Sequence, residues 1–264
     1  MIESKNLTTS ILEHLRGEII TYQLKGGQKL NEIQLSSELK VSRPPLREAF
    51  QILEQEHLLV SVPRKGRFVV EVSEENYQKI NEARKMIECY VIDLLKAKNV
   101  RRLPHVEMAI AKVLVKPIPS DDPYEKLRYI EAIDDFHINL VNSVENGFLS
   151  HFYGTLRFNI YRYHYWLRML CSPLAALPQT AKSLIQEHQR VLDFIQEGEY
   201  EKANDCLCAH MDAAGRLMKE NFQKKGAPMF EGSKPIRDGY GWGSPVRADA
   251  NISVSGEKGR GGEK

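Results

Sequence analysis

Three histidines, His137, His188 and His210, are the residues whose type and placement point most directly to chemistry. Each sits in an apolar frame, DDFHINLV, LIQEHQRVL and LCAHMDAAG, inside a stretch of helical periodicity. Imidazoles from three helices converging on a bundle core form a nitrogen-rich site with open positions for a divalent ion such as Zn, Ni or Mn. The same residues can equally be hydrogen-bonded packing histidines. A second pattern is cationic. Arg43 and Arg47 are four residues apart, so both project from one side of the first turns of a helix, while Leu46, Ala49, Phe50 and Leu53 form an apolar stripe on another. Ser42 is the expected N-cap, and Pro44 and Pro45 are tolerated in the first turn, where amides have no intrahelical partner. Guanidinium groups at that end of a helix suit phosphates or base edges in a DNA major groove.

The elements that must position these arginines are legible around them. Residues 31–55, NEIQLSSELKVSRPPLREAFQILEQ, parse as two short helices joined by a tight turn. Leu59–Val70 follows as two β-rich runs flanking Arg64, Lys65, Gly66 and Arg67, which predicts a hairpin with a basic tip. A helix-turn-helix followed by a basic hairpin is a winged helix. The alternative is a helix pair whose arginines are only solvated. A first helix, Thr9 to about Tyr22, closes the three-helix core with Ile11, Leu15 and Ile19, and Gly26 and Gly27 turn the chain toward Leu30.

The segments KGGQKLNEIQLSSELKVSRPPLREAFQILEQEHLL and VPRKGRFVV resemble the N-terminal domain of GntR-type bacterial transcription regulators. The resemblance covers about the first 73 residues and rests on the turn, the S-R-x-x-L-R run and the R-x-G-x-F-V wing occurring in that order. It implies base or phosphate contacts from Arg43 and Arg47, and entry of Lys65 and Gly66 into the minor groove. Family members often carry an arginine where this chain has Ile33, which would remove one phosphate contact.

Composition sets bounds rather than a function. A chain of 264 residues that is 42% hydrophobic can bury the cores of two domains, and a formal charge of +2 does not announce a nucleic-acid binder, so DNA affinity must come from local placement. The sequence has no long apolar run and no signal-like N-terminus, which predicts a soluble, cytoplasmic protein without membrane contact. Cys89, Cys171, Cys206 and Cys208 lack metal-ligand spacing and read as reduced thiols.

From Ser73 to about Gln223 the pattern is helical throughout, in six segments near 74–98, 101–115, 123–145, 147–171, 178–197 and 199–223. The fold class is therefore mainly α: a winged helix over 1–73, an antiparallel bundle of about six helices over 74–223, and a Gly-rich tail over 224–264 expected to be disordered. The runs FHINLVNSVENGFL and EHQRVLDFIQEGEYEKANDCLCAHM resemble the FCD ligand-sensing domain found behind many GntR-type winged helices. That resemblance implies a divalent metal held by an Asp and three His, with a carboxylate effector on the metal. His137, His188 and His210 fall at the histidine positions. The acid position four residues before the first histidine is Ile133. Asp134 could reach the metal by a modest helix rotation, the site could be three-histidine completed by water or effector, or the metal could be lost.

The helix over 147–171 crowds aromatic residues and arginines into RFNIYRYHYWLRM. Arg157 or Arg162 could pair an effector carboxylate, or the rings could pack between helices or at a dimer interface while the arginines reach outward. The resemblance implies a cavity-facing arginine at Arg84, which could equally pair with Glu88 on the surface. Together these features predict a homodimeric, effector-controlled transcription regulator, most often a repressor, that binds an inverted-repeat DNA operator and answers to an organic acid. The competing reading is a metal-dependent hydrolase or lyase fused to a DNA-binding module, with Asp134 or Asp135 as base. A third is a structural nucleoid protein without a preferred site.

Overall fold

The computed structural model describes residues 2–172 and 176–228; the tail expectation for 229–264 lies outside the described residues. The chain runs α1 (Ile2–Ile20), β1 (Lys29–Leu30), α2 (Glu32–Glu38), α3 (Arg43–Gln55), β2 (Leu59–Val62) and β3 (Gly66–Val69). A helical unit follows: α4 (Glu74–Ala97), α5 (Pro104–Leu114), α6 (Pro123–Asn142), α7 (Gly147–Tyr165), a π-helical turn (Trp166–Leu170), α8 (Leu177–Glu197) and α9 (Tyr200–Lys225). The architecture is a winged helix followed by a six-helix bundle.

In α3 the stripe of Leu46, Ala49, Phe50 and Leu53 is completely buried against Ile11, Leu15 and Ile19 of α1. At about 1.5–3 kcal/mol for each large side chain removed from water, this stripe anchors the N-terminal core. Asn31 caps α2 by accepting from the Ile33 and Gln34 amides. Ser42 has N-cap geometry but makes no side-chain cap bond, contrary to expectation. The reason lies in the sequence: a cap oxygen accepts from the second or third helical amide, and those positions are Pro44 and Pro45, which have no N–H.

The wing closes through the register Val62↔Gly66 and a three-residue loop in which the Lys65 amide donates to the Val62 carbonyl at 3.0 Å. Gly66 has φ 108, a backbone conformation that side-chain-bearing residues rarely adopt, so glycine fits the backbone there. β1 pairs antiparallel with β3 (Lys29↔Phe68), making a three-stranded sheet in the order β1-β3-β2. That third strand was not foreseen; two residues carry too little alternation to register as a strand.

Two apolar clusters form, one in the N-terminal unit and a larger one in the bundle, and Phe158 of α7 packs against both. α7 is the joining element. Asn159 Nδ2 donates to the Glu56 carbonyl (2.7 Å), Arg162 Nη1 to the Val70 carbonyl (2.7 Å), and Tyr22 Oη to the Arg162 carbonyl (3.1 Å). Arg16 lies 3.9 Å over the Phe158 ring. No helix of the described residues is long and apolar enough to cross a membrane.

Candidate metal centre and nucleic-acid interface

α6, α8 and α9 bring His137, His188 and His210 together, with one ring nitrogen of each within 4.8 Å of the others. All three side chains are buried. The ring orientations follow from their partners. His137 Nδ1 donates to Glu88 Oε2 at 2.7 Å and His210 Nδ1 to Glu187 Oε2 at 2.6 Å. A carboxylate can only accept, so each Nδ1 carries the hydrogen and each Nε2 presents a bare lone pair. This is the carboxylate–imidazole arrangement that orients metal-ligating histidines. His188 Nε2 stands 3.4 Å from His210 Nε2. Two nitrogens on one tetrahedral ion at about 2.05 Å would be roughly 3.3 Å apart, so this pair has the spacing of two ligands on a divalent cation, with the third nitrogen inside the same 4.8 Å group.

Electrostatics point the same way. Burial first, then Arg84 and His210, holds His137 well below the ordinary histidine range; burial, then His137 and His210, does the same for His188. Neutral imidazoles at physiological pH keep their lone pairs for a cation. Glu88 of α4 is the hub behind them. Fully buried, it accepts from His137, from Arg84 Nε (2.6 Å) and from Tyr153 Oη (2.7 Å).

Asp134 does not join the histidine cluster. Its carboxylate accepts from His164 Nδ1 at 2.7 and 2.9 Å, on α7. Around a helix, the i−4 and i−3 positions relative to His137 fall on opposite sides of it, about 100° apart, so the acid at 134 turns toward α7 rather than α8 and α9. Burial raises the Asp134 carboxyl, but His164, Arg168 and Arg84 prevail and hold it below the usual carboxylate range; burial lowers His164 to about 4 despite Asp134. The pair is therefore carboxylate and neutral imidazole.

The expected effector arginines separate. Arg84 does pair with Glu88, but the pair is buried rather than on the surface. Arg162 donates Nη1 to the Val70 carbonyl and lies over the Tyr22 ring, which ties the bundle to the N-terminal unit, while its Nε and Nη2 are buried without a partner among the described residues. Arg157 lines a different cleft, about 660 Å³, with Lys112, Lys116, Arg128, Glu131 and Asp135. Glu187 and Tyr77 escaped the sequence reading, whereas His164 and Arg168 lay within the run RFNIYRYHYWLRM without being singled out, and Arg168 is buried rather than reaching outward. The four cysteines are free, with Cys89 and Cys208 sulfurs 3.0 Å apart across α4 and α9.

On the opposite unit, Arg43 and Arg47 stand half-exposed on the first turns of α3. Both donate Nε to one oxygen of Glu32, at 2.6 and 2.9 Å, and Arg67 reaches the other oxygen at 3.9 Å. Using Nε for the internal bond keeps the terminal amino groups of these two half-exposed guanidinium groups out of that bond. Ile33 is exposed beside them. Arg64, with φ 63, and Lys65 occupy the exposed wing loop, whereas Arg67 lies within β3 and pairs with Glu54.

Comparison with known proteins agrees with this architecture. Residues 7–69 match the family described as bacterial regulatory proteins, gntR family, and residues 79–213 match the FCD domain. Among curated relatives, the gluconate operon transcriptional repressor of Bacillus licheniformis is 27% identical over 143 residues, covering 54% of this chain and 57% of the relative. The Nta operon transcriptional regulator of Aminobacter aminovorans is 26% identical over 127 residues, covering 48% and 59%. The chain thus spans somewhat over half the length of these relatives. Among solved structures, a GntR transcriptional regulator from Rhodococcus sp. RHA1 superposes with a TM-score of 0.61 at 21% identity, over 81% of this chain and 97% of that one. McbR/YncC of E. coli gives 0.59 at 18%, over 82% and 98%. These structural likenesses concern the fold. With an FCD domain across half its length behind a gntR-type winged helix, the chain belongs to the GntR family of bacterial regulatory proteins, in the branch that carries an FCD domain.

Proposed function

We propose that the protein is a cytoplasmic, DNA-binding transcription regulator, most simply a repressor, whose operator affinity is set by a small carboxylate bound in the helical bundle. The winged helix, residues 1–73, reads an inverted repeat through Ser42, Arg43, Pro44 and Arg47 in the major groove, with Arg64, Lys65 and Gly66 at the wing tip. The bundle, residues 74–223, holds a divalent ion such as Zn, Ni or Mn on His137, His188 and His210. That ion supplies a Lewis-acid seat for the effector's carboxylate, while Glu88 and Glu187 hold His137 and His210 in the ligating tautomer.

The observation that carries this reading is the double duty of α7. Tyr153 and His164 face the buried polar network, and Asn159 and Arg162 of the same helix hold the Glu56 and Val70 carbonyls of the winged helix. A shift of α7 on effector binding therefore changes the seating of the DNA-reading unit. The coupling is allosteric if effector and operator prefer different seatings. Two copies place two winged helices on the half-sites. Met86 and Tyr90 of α4, with Phe148 and Phe152 of α7, supply exposed large apolar side chains on two helices joined by the Tyr153–Glu88 bond, and we assign the homodimer contact there.

Fluorescence anisotropy on a duplex recovered by selection from random sequences tests the reading. Specific binding, weakened by a small carboxylate and weakened at that duplex by Arg47→Ala, is expected. Equal affinity for all duplexes would instead support a nucleoid protein. Specific binding that no carboxylate alters would remove the effector claim.

A further inference from the structure

Of nine buried side-chain polar atoms without a partner among the described residues, four lie together: Tyr77 Oη, Arg84 Nη2, His164 Nε2 and Arg168 Nη1. Their side chains are all buried. They are also neighbours. The Tyr77 ring lies 6.5 Å from the His164 imidazole, and Arg84 and Arg168 both act on Tyr77, on Asp134 and on His188. Buried polar atoms of a native fold are ordinarily satisfied, so four orphans in one nest mark a place where something polar belongs.

The chemistry of the orphans narrows what that is. Arg84 and Arg168 are permanent cations with N–H groups to donate, and Tyr77 can donate as well. His164 presents a lone pair, because Asp134 fixes its hydrogen on Nδ1. Arg84 already has a counter-ion in Glu88. Arg168 forms no ion pair among the described residues, and Asp134, an acid whose field it feels, has both oxygens engaged by His164. Glu88 and Asp134 already balance the two guanidinium charges, so what the nest lacks is an acceptor for the donors of Arg84, Arg168 and Tyr77, and a carboxylate offers several acceptor lone pairs at once. Arg168 also sits in the π-helical turn that ends α7, a local geometry less favourable than the α-helix it interrupts.

We propose that the effector is a short dianion, a dicarboxylate with or without a hydroxyl group. One carboxylate lies at the His137–His188–His210 cluster, and the second is held by Arg168, with Tyr77 and the free edge of Arg84 donating to it. His164 Nε2 accepts from a ligand hydroxyl where there is one. The proposal rests on the reading above that the bundle binds a carboxylate, and it adds a second anchor that distinguishes dianions from monoanions.

Isothermal titration of the full chain, purified without chelator, with butyrate, succinate and malate tests it. Succinate or malate is expected to bind at least tenfold tighter than butyrate. Arg168→Gln should reduce the dianion to the butyrate level while leaving butyrate itself unchanged, which also reports that the variant is folded; Arg168→Lys should retain part of the preference. If Arg168→Gln does not fold, Tyr77→Phe, which deletes one donor oxygen, is expected to weaken the dianion severalfold and spare butyrate. Equal affinities for monoanion and dianions, or a dianion preference that survives Arg168→Gln and Tyr77→Phe, would overturn the second anchor and leave the carboxylate reading standing. Binding of none of the three would overturn both.

Discussion

Glu88→Gln is the substitution that separates a designed buried network from a fortuitous one. Glu88 is completely buried and accepts from Arg84, Tyr153 and His137. Glutamine keeps the volume but removes the charge, leaving Arg84 as an uncompensated buried cation at a cost of about 3–5 kcal/mol. With one oxygen retained for Arg84 and Tyr153, the new amide nitrogen faces His137 Nδ1. His137 must then accept at Nδ1 and carry its hydrogen on Nε2, which destroys the lone pair aimed at the histidine cluster. Two readouts follow. In chelator, calorimetric Tm should fall by about 6–20 °C, taking roughly 2–4 °C per kcal/mol for a unit of this size. Affinity for Zn in a competition titration should fall about 10–100-fold, the usual loss when a residue behind a ligand is changed. The double variant Arg84→Met with Glu88→Gln should regain part of the Tm because the stranded charge is gone. A Tm within about 2 °C of the parent, with unchanged Zn affinity, would refute the reasoning.

Other expectations concern the DNA-reading surface, pH and assembly. Arg47→Ala should cost about 1–3 kcal/mol at the preferred operator if it reads a base; uniform weakening on all duplexes with a salt slope lower by about 1 would mean a phosphate contact instead. Glu32→Gln removes the carboxylate shared by Arg43 and Arg47, so non-specific binding should tighten and the salt slope steepen by about 0.9; an unchanged slope would contradict that role. In chelator, urea midpoints should fall as pH drops from about 6.5 toward 4, because the unfolded chain binds protons there that folded His164, lowered to about 4, refuses, with His137 and His188 acting in the same direction. Asp134, whose folded carboxyl is held low, adds stability that is present above about pH 4 and lost as the pH falls further; stability that stays flat or rises toward pH 4 would contradict the assignment. With the homodimer contact proposed at Met86, Tyr90, Phe148 and Phe152, Phe152→Asp is expected to sediment as a monomer where the parent sediments as a dimer, without lowering the Tm of the chain at low concentration; a parent that is itself monomeric would contradict the contact.

What the sequence made legible was what repeats along the chain. The α3 stripe, the turn and the wing lie within some forty residues of one another, and local periodicity is enough to place them. The three histidines could be picked out because each sits in a long amphipathic frame, although it took a family resemblance to raise them above packing residues. What stayed hidden depends on how helices pack. Glu88 and His137 are 49 residues apart and Asp134 and His164 are 30 apart, and no periodicity tells which acid backs which imidazole. Arg162 and Arg168 share one helix end, yet one turns to the wing and the other into the nest. Ser42 shows the reverse failure: the residue type was right for a cap, and its own neighbours, Pro44 and Pro45, removed the donors.

The most direct test of the account is the metal content of the full chain purified without chelator or affinity nickel, measured by elemental analysis beside His188→Ala. About one divalent ion per chain in the parent and none in the variant is the expected result. An absence of metal in both, with carboxylate binding intact, would contradict the metal centre and leave Arg84 and Arg168 as the anchors of the anion.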